Sequence, residues 1–242
     1  VPGCCSQAED AAGVGRKPPD GCTAWQAEAV GGTTVTTDEI TEIADVVAGL
    51  RKRFGIPVKP ERRGPVQLGR FLDECNLLHV ERPTLTRADV FDYLTGEGFT
   101  PGDLGEDEPL AGFLFLTPSA GFVFVNGSDP VPRRRFTAAH ELGHFVLHRD
   151  HMGGLVSIGD TPAMILEVED EKSAEMERQA NRFAAELLMP TAVCQERATT
   201  FKSVNKLSAC PLQPFAYQLA AELLVSPEAM RYRLRELGVC DE

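Results

Sequence analysis

Residues 135–148, RFTAAHELGHFVLH, place the motif H-E-x-x-H at 140–144 inside a helical pattern of apolar residues. On a helix, His140 and His144 lie one turn apart, so both imidazoles can reach one ion. Glu141 lies beside them, where its carboxylate can act as a general base toward a water molecule. This combination of residue types is that of a zinc hydrolase.

A catalytic zinc ion needs a third protein ligand. His148 lies about 12 Å from His140 along the helix axis, too far to share the ion. His151 would need a sharp turn, and no glycine between His144 and His151 provides one. The extended motif with a third histidine is therefore absent. We expect His148 to support the ligands from the end of the helix and His151 to lie on the surface.

A second long helix, predicted over 170–189, offers a better third ligand. Glu177 lies at the edge of its apolar face, where burying an unpaired carboxylate is costly. A zinc ion would pair with it. Asn181 lies one turn further, placed to accept the free N–H of a zinc-bound imidazole. We therefore predict one zinc ion, or manganese as the alternative, bound by His140, His144 and Glu177.

Four segments together resemble the ImmA/IrrE family of metallopeptidases. They are RFTAAHELGHFVLH at 135–148, ERQANRFAAELLMP at 177–190, FVFVN at 122–126 and the C-terminal stretch 219–238. The resemblance spans roughly residues 38–238 and leaves out residues 1–36 and an acidic insert near 100–109. It implies a gluzincin-like fold in which His140, His144 and Glu177 bind zinc and Glu141 is the catalytic base.

The resemblance also implies a biological role. Members of the family usually make a limited cut in a helix-turn-helix repressor, which switches on mobile-element or stress-response genes. The expected function is therefore that of a zinc-dependent endopeptidase acting on a protein partner. The alternative is a non-catalytic metal-binding protein, of the antitoxin type, that sequesters a repressor or toxin; the intact Glu141 disfavours it. A deformylase-like hydrolase would need a cysteine ligand, and the context of Cys75 does not fit.

The predicted fold class is α+β: a helix-rich zincin-like core with a small antiparallel sheet and a C-terminal helical tail. Residues 153–162 read as a loop. The spacing of apolar residues predicts helices over about 37–54, 65–72, 84–93, 132–148, 170–189, 214–224 and 227–237, and strands over 77–80, 112–117 and 121–126, the last two as a hairpin.

Three regions follow from this order. Residues 1–36 are predicted to be a flexible extension, 37–195 the metallopeptidase domain, and 196–242 a helical subdomain that resembles a helix-turn-helix. Residues 212–242 hold three arginines against five acidic residues. This balance disfavours DNA reading and favours packing against the core or a contact with the partner protein.

Composition narrows the function class further. The 24 basic and 36 acidic residues give a net charge of −12, which disfavours a nucleic-acid-binding surface. No apolar run is long enough to span a membrane, and the start of the sequence lacks a secretory pattern. The seven cysteines are scattered without a C-x-x-C pair. We therefore expect a cytoplasmic protein with reduced thiols.

The expected mechanism is zinc-assisted hydrolysis in which Glu141 moves a proton from water to the leaving amine. The substrate backbone is expected to add as a strand near residues 121–126. The residue that stabilises the oxyanion is left open among Tyr217, Tyr232 and His148.

Overall fold

The structure is a computed structural model that describes residues 37–57, 64–101, 104, 106–117, 121–149, 156–160 and 171–240. The predicted extension 1–36 and His151 lie outside these residues. The order of elements is α1 Thr37–Arg53, α2 Leu68–Glu74, β1 Leu77–Arg82, α3 Arg87–Gly96, β2 Gly112–Leu116, β3 Gly121–Asn126, α4 Val131–His148, β4 Val156–Asp160, α5 Glu171–Leu188, α6 Thr191–Asn205, α7 Leu212–Leu223 and α8 Pro227–Glu236. In the described part of the chain, no helix has the length and apolar character to cross a membrane.

The predicted helix-rich α+β fold is confirmed, but the prediction that the small sheet is antiparallel is wrong for one of its strand pairs. The four strands follow the order β1-β3-β2-β4. The β2–β3 hairpin is antiparallel as predicted, and β4 adds antiparallel to β2. Strand β1 instead pairs parallel with β3. The chain between them forms α3 and β2, which bring it back to the end of the sheet where β1 began before β3 starts. The sheet is therefore mixed.

Two elements were not predicted from the sequence. Strand β4 lies in the segment expected to be a loop; its pairing with β2 outweighs the local turn signal of Gly159. Helix α6 buries only Val193, Cys194 and Ala198, which is too narrow a stripe for a clear helical period. It spans the predicted domain boundary at 195/196, and the division of the chain into domains stays a prediction.

One face of the sheet packs on α3. Tyr93 of α3 contacts the rings of Phe122 and Phe124 edge-on. Helix α3 begins at a capping box, in which Thr86 and Asp89 each accept a hydrogen bond from the other's backbone N–H. The buried members of this core are Val80, Leu85, Val90, Leu94, Leu104, Leu110, Phe113, Phe115, Phe122 and Phe124. This core fixes the position of β2. Helix α4, which carries the H-E-x-x-H motif, contacts β2.

Helices α4 and α5 form the largest helix–helix contact and confirm the predicted helices at 132–148 and 170–189. Gly143 allows the close approach. A Cβ atom on Gly143 would lie 3.1 Å from Cδ1 of Phe183 and 3.2 Å from Cα of Ala180. Because one of these neighbours is backbone, the space cannot be regained by rotating a side chain.

Two buried arginines hold the C-terminal end of α5. Arg51 donates from Nη2 to the carbonyl of Leu187 at 2.7 Å, and Arg233 donates to the carbonyl of Met189 at 3.3 Å. Arg233 also forms an ion pair with Glu186. Cations at a helix C-terminus satisfy its last carbonyls and oppose the negative end of the helix dipole. Burial lowers the pKa of Arg51.

Replacing Gly143 with alanine should lower the free energy of unfolding by about 1–3 kcal/mol, because the methyl group forces α4 and α5 apart. The matched control is Gly49→Ala in α1, where nothing lies within 4 Å of the new Cβ. That change should raise the free energy of unfolding by about 0.5–1 kcal/mol through helix propensity. Urea denaturation measures both values; equal effects of the two substitutions would contradict the close contact.

Candidate metal centre

Helices α4 and α5 bring three donor groups together. Nε2 of His140 lies 3.1 Å from Oε2 of Glu177, and Nε2 of His144 lies 3.0 Å from Oε1 of the same carboxylate. The two imidazole Nε2 atoms are 2.9 Å apart. The donors predicted from the sequence therefore surround one point, and the group could hold a metal ion.

The spacing of the donors suits a small divalent cation. Bonds of about 2.0–2.2 Å in a tetrahedral site set neighbouring donor atoms about 3.4 Å apart, so the observed donors need to open by only a few tenths of an ångström. His140 is 3% exposed and His144 1%, whereas the side chain of Glu177 is 33% exposed. Three ligands with one side toward solvent leave room for a water molecule or a substrate.

The tautomer of His140 supports the same conclusion. Nδ1 of His140 lies 3.1 Å from Oδ1 of Asn181 and donates its proton there. With Nδ1 protonated, the neutral ring would offer the lone pair of Nε2 to a metal ion. Asn181 is the residue predicted from its position on the helix to accept this N–H.

Glu177 is ionised in this setting. Burial by itself would raise the pKa of its carboxyl group, but the imidazoles of His140 and His144 beside it outweigh that effect. They hold the pKa of Glu177 well below its usual range. An ionised carboxylate with two imidazoles is a donor set that zinc and manganese both accept.

His148 supports the site from the last turn of α4. Its Nε2 donates to the carbonyl of Met176 at 3.1 Å, and its ring centroid lies 5.5 Å from that of His144. Because Met176 precedes Glu177, this hydrogen bond fixes the turn of α5 that presents the carboxylate. His148 thus lies beside the ring of His144 and outside the group of three donors.

Glu141 points to the sheet. It is fully buried, and a Cβ atom on Gly112 would lie 2.8 Å from its Oε1 and 2.3 Å from Cγ2 of Thr137. The backbone of β2 therefore approaches this carboxylate as closely as a glycine allows. The role of Gly112 is not predicted from the sequence, where the only signal is a glycine at the start of the apolar strand GFLFL.

Of two expectations about the surroundings of the site, one is wrong and the other stays a prediction. Strand β3 at 121–126 is an inner strand between β1 and β2, so the predicted addition of a substrate strand there is wrong. Tyr217 and Tyr232 lie on α7 and α8 and are 53% and 75% exposed. The assignment of the oxyanion role to either tyrosine or to His148 stays a prediction.

Comparison with known families adds one finding. A peptidase family model described as the IrrE N-terminal-like domain matches residues 105–235, more than half of the 242 residues. The match includes both helices that carry the three donors and the strand that carries Gly112. Comparison with curated proteins found no matching relative.

Replacing Asn181 with alanine should weaken metal binding about 10–100-fold, because the ring of His140 loses the acceptor that fixes its tautomer and orientation. Competition titration of the purified protein with a chromophoric chelator measures this change. Asn181→Asp keeps an acceptor oxygen and should retain most of the affinity. Unchanged binding by Asn181→Ala would contradict the role of this hydrogen bond.

Proposed function

The chain belongs to the IrrE N-terminal-like peptidase family, and we propose that it is a zinc-dependent endopeptidase that makes a limited cut in a partner protein. One observation carries the proposal: three donors on α4 and α5 converge, and the buried carboxylate of Glu141 directly follows the first of them in the sequence. Donors alone would suit a structural metal site. The carboxylate that follows the first histidine adds a group able to accept a proton from water.

His140, His144 and Glu177 would hold the metal, with Glu141 as the proton carrier. Bound there, zinc, or manganese in its place, would supply Lewis acidity to the scissile carbonyl and make a water molecule more acidic. Glu141 would take the proton from the attacking water and deliver it to the leaving amine nitrogen. Its burial against Gly112 excludes competing solvent from the carboxylate.

The edge strand β4 offers a place for the substrate backbone. Among the described strands, β4 and β1 form the two edges of the sheet, and β4 pairs with β2 so that Asp160 lies opposite Gly112. Gly112 in turn adjoins Glu141. Only β4 would therefore separate an extended peptide added at this edge from the strand that contacts the proposed base.

The proposed partner is a helix-turn-helix transcriptional repressor, whose cleavage would derepress stress-response or mobile-element genes in the cytoplasm. The resemblance of residues 135–148 and 177–190 to ImmA/IrrE enzymes supports this part. Charge supports it too, because DNA-binding repressors are basic and this chain has a net charge of −12. We do not expect the chain itself to bind DNA; Arg233, one of three arginines in its tail, is already engaged with Glu186.

Incubation with a helix-turn-helix repressor encoded near the gene for this chain should test the proposal. The wild type should cut this protein at one site, and Glu141→Gln should reduce the cleavage rate at least about 100-fold through loss of the proton carrier. Mass spectrometry of the products measures the rate and locates the cut. Elemental analysis should show about one metal ion per chain in both proteins.

The matched control is Glu175→Gln, which changes a carboxylate of α5 that pairs with Arg178 instead of facing the donors. This variant should cut at the wild-type rate. If wild type and Glu141→Gln both bind the metal and the neighbouring protein without cutting it, the non-catalytic sequestering function replaces the enzyme.

Replacing Gly112 with alanine should distinguish the contribution of the proposed base from that of the metal ligands. The new methyl group collides with Glu141 and Thr137 and does not touch the three donors, so we expect normal metal content and at least about 10-fold slower cleavage. Gly69→Ala in α2 adds the same methyl group where nothing lies within 4 Å and should leave cleavage unchanged. Full activity of Gly112→Ala would show that the position of Glu141 does not limit the reaction.

A further inference from the structure

Two cysteines meet at the open end of the α7–α8 helix pair. Cys210 directly precedes Pro211, the N-cap residue of α7, and Cys240 follows the end of α8. The two helices pack against each other and are joined by a short turn at Leu224, which has a left-handed backbone conformation. The contact between the two sulfur atoms places the residue before the first helix and the residue after the second at the same end of the pair.

The end of α8 directs Cys240 toward Cys210. Gly238 has a φ of +60°, and the backbone N–H of Val239 donates to the carbonyl of Leu234 at 3.2 Å. This hydrogen bond and the left-handed glycine form a Schellman turn, which reverses the chain at the helix end. The Sγ atoms of Cys210 and Cys240 then lie 3.2 Å apart.

We propose that Cys210 and Cys240 are a dithiol modification site that forms an intrachain disulfide by exchange with a small disulfide such as glutathione disulfide. The sulfur atoms need to approach each other by only about 1.2 Å to bond. Cys210 is buried and Cys240 is partly exposed. The reagent therefore reaches Cys240 first.

The exchange balances without any further reactant. The thiolate of Cys240 attacks one sulfur of the small disulfide, whose S–S bond breaks and releases one small thiol. The deprotonated sulfur of Cys210 then attacks Sγ of Cys240 and expels the second small thiol. The protein loses two electrons and two protons, and the small disulfide gains both to become two thiols.

The other described cysteines lack this arrangement. Cys75 and Cys194 are buried, and burial raises the pKa of each thiol to about 12. Thiolates are the reactive form, so these two side chains should react slowly. Cys194 contacts the carbonyl of Met189 rather than another sulfur.

Closing the bridge would hold α8 against the core. Helix α8 carries Arg233, which reaches Glu186 and the carbonyl of Met189 at the end of α5. The bridge closes a loop of chain between residues 210 and 240 and so restricts the unfolded state. The oxidised protein should unfold at a higher temperature than the reduced protein.

The test treats the full chain with glutathione disulfide, blocks the remaining thiols by alkylation and maps tryptic peptides without reduction. We expect a cross-linked pair consisting of residues 207–231 and 236–242, with about 2 Da less mass than the two peptides together. The midpoint of thermal unfolding should rise by about 5–10 °C on oxidation.

Two variants make the result specific. Cys240→Ser should show neither the cross-linked pair nor the rise in melting temperature, and Cys75→Ala should show both as the wild type does. A glutathione adduct on Cys240 without the cross-link would overturn the proposal. A bridge from either cysteine to one of the remaining five would overturn it as well.

Discussion

The contact between α4 and α5 at Gly143 is the constraint on which the candidate site depends. The donors come from both helices, so the distance between the helix axes sets the distance between the donors. Gly143 precedes His144, and its neighbour across the contact, Ala180, precedes Asn181. The residues that allow close packing are therefore the immediate neighbours of residues that form the site. A wider contact would separate the imidazoles from the carboxylate.

Separate hydrogen bonds in its two halves fix the position of α5 along its own axis. At the C-terminal end, Arg51 donates to the carbonyl of Leu187, and Arg233 donates to the carbonyl of Met189, the residue that follows the helix. In the N-terminal half, His148 donates to the carbonyl of Met176. A helix held only by apolar packing can slide with little loss of buried area. Directional hydrogen bonds in both halves of α5 remove that freedom, and Glu177 lies between them.

The sequence predicts the site better than it predicts the sheet, for physical reasons. Long helices with wide apolar faces carry their own signal, and α4 and α5 are of this kind. Glu177 is detectable because a carboxylate at the edge of an apolar face needs a partner. Strand β4 and the parallel pairing of β1 depend on other strands, which local sequence does not encode. Gly112 is required by residues on α4, far along the chain, so only the structure reveals its role.

The two carboxylates of the site differ in environment, and that difference separates their proposed roles. Glu177 lies between two imidazoles that keep it ionised, and its partial exposure leaves one side open. Glu141 is fully buried against the backbone of β2, which prevents its side chain from turning away from α4. A carboxylate surrounded by nitrogen donors suits a ligand, whereas one fixed against the sheet suits a proton carrier.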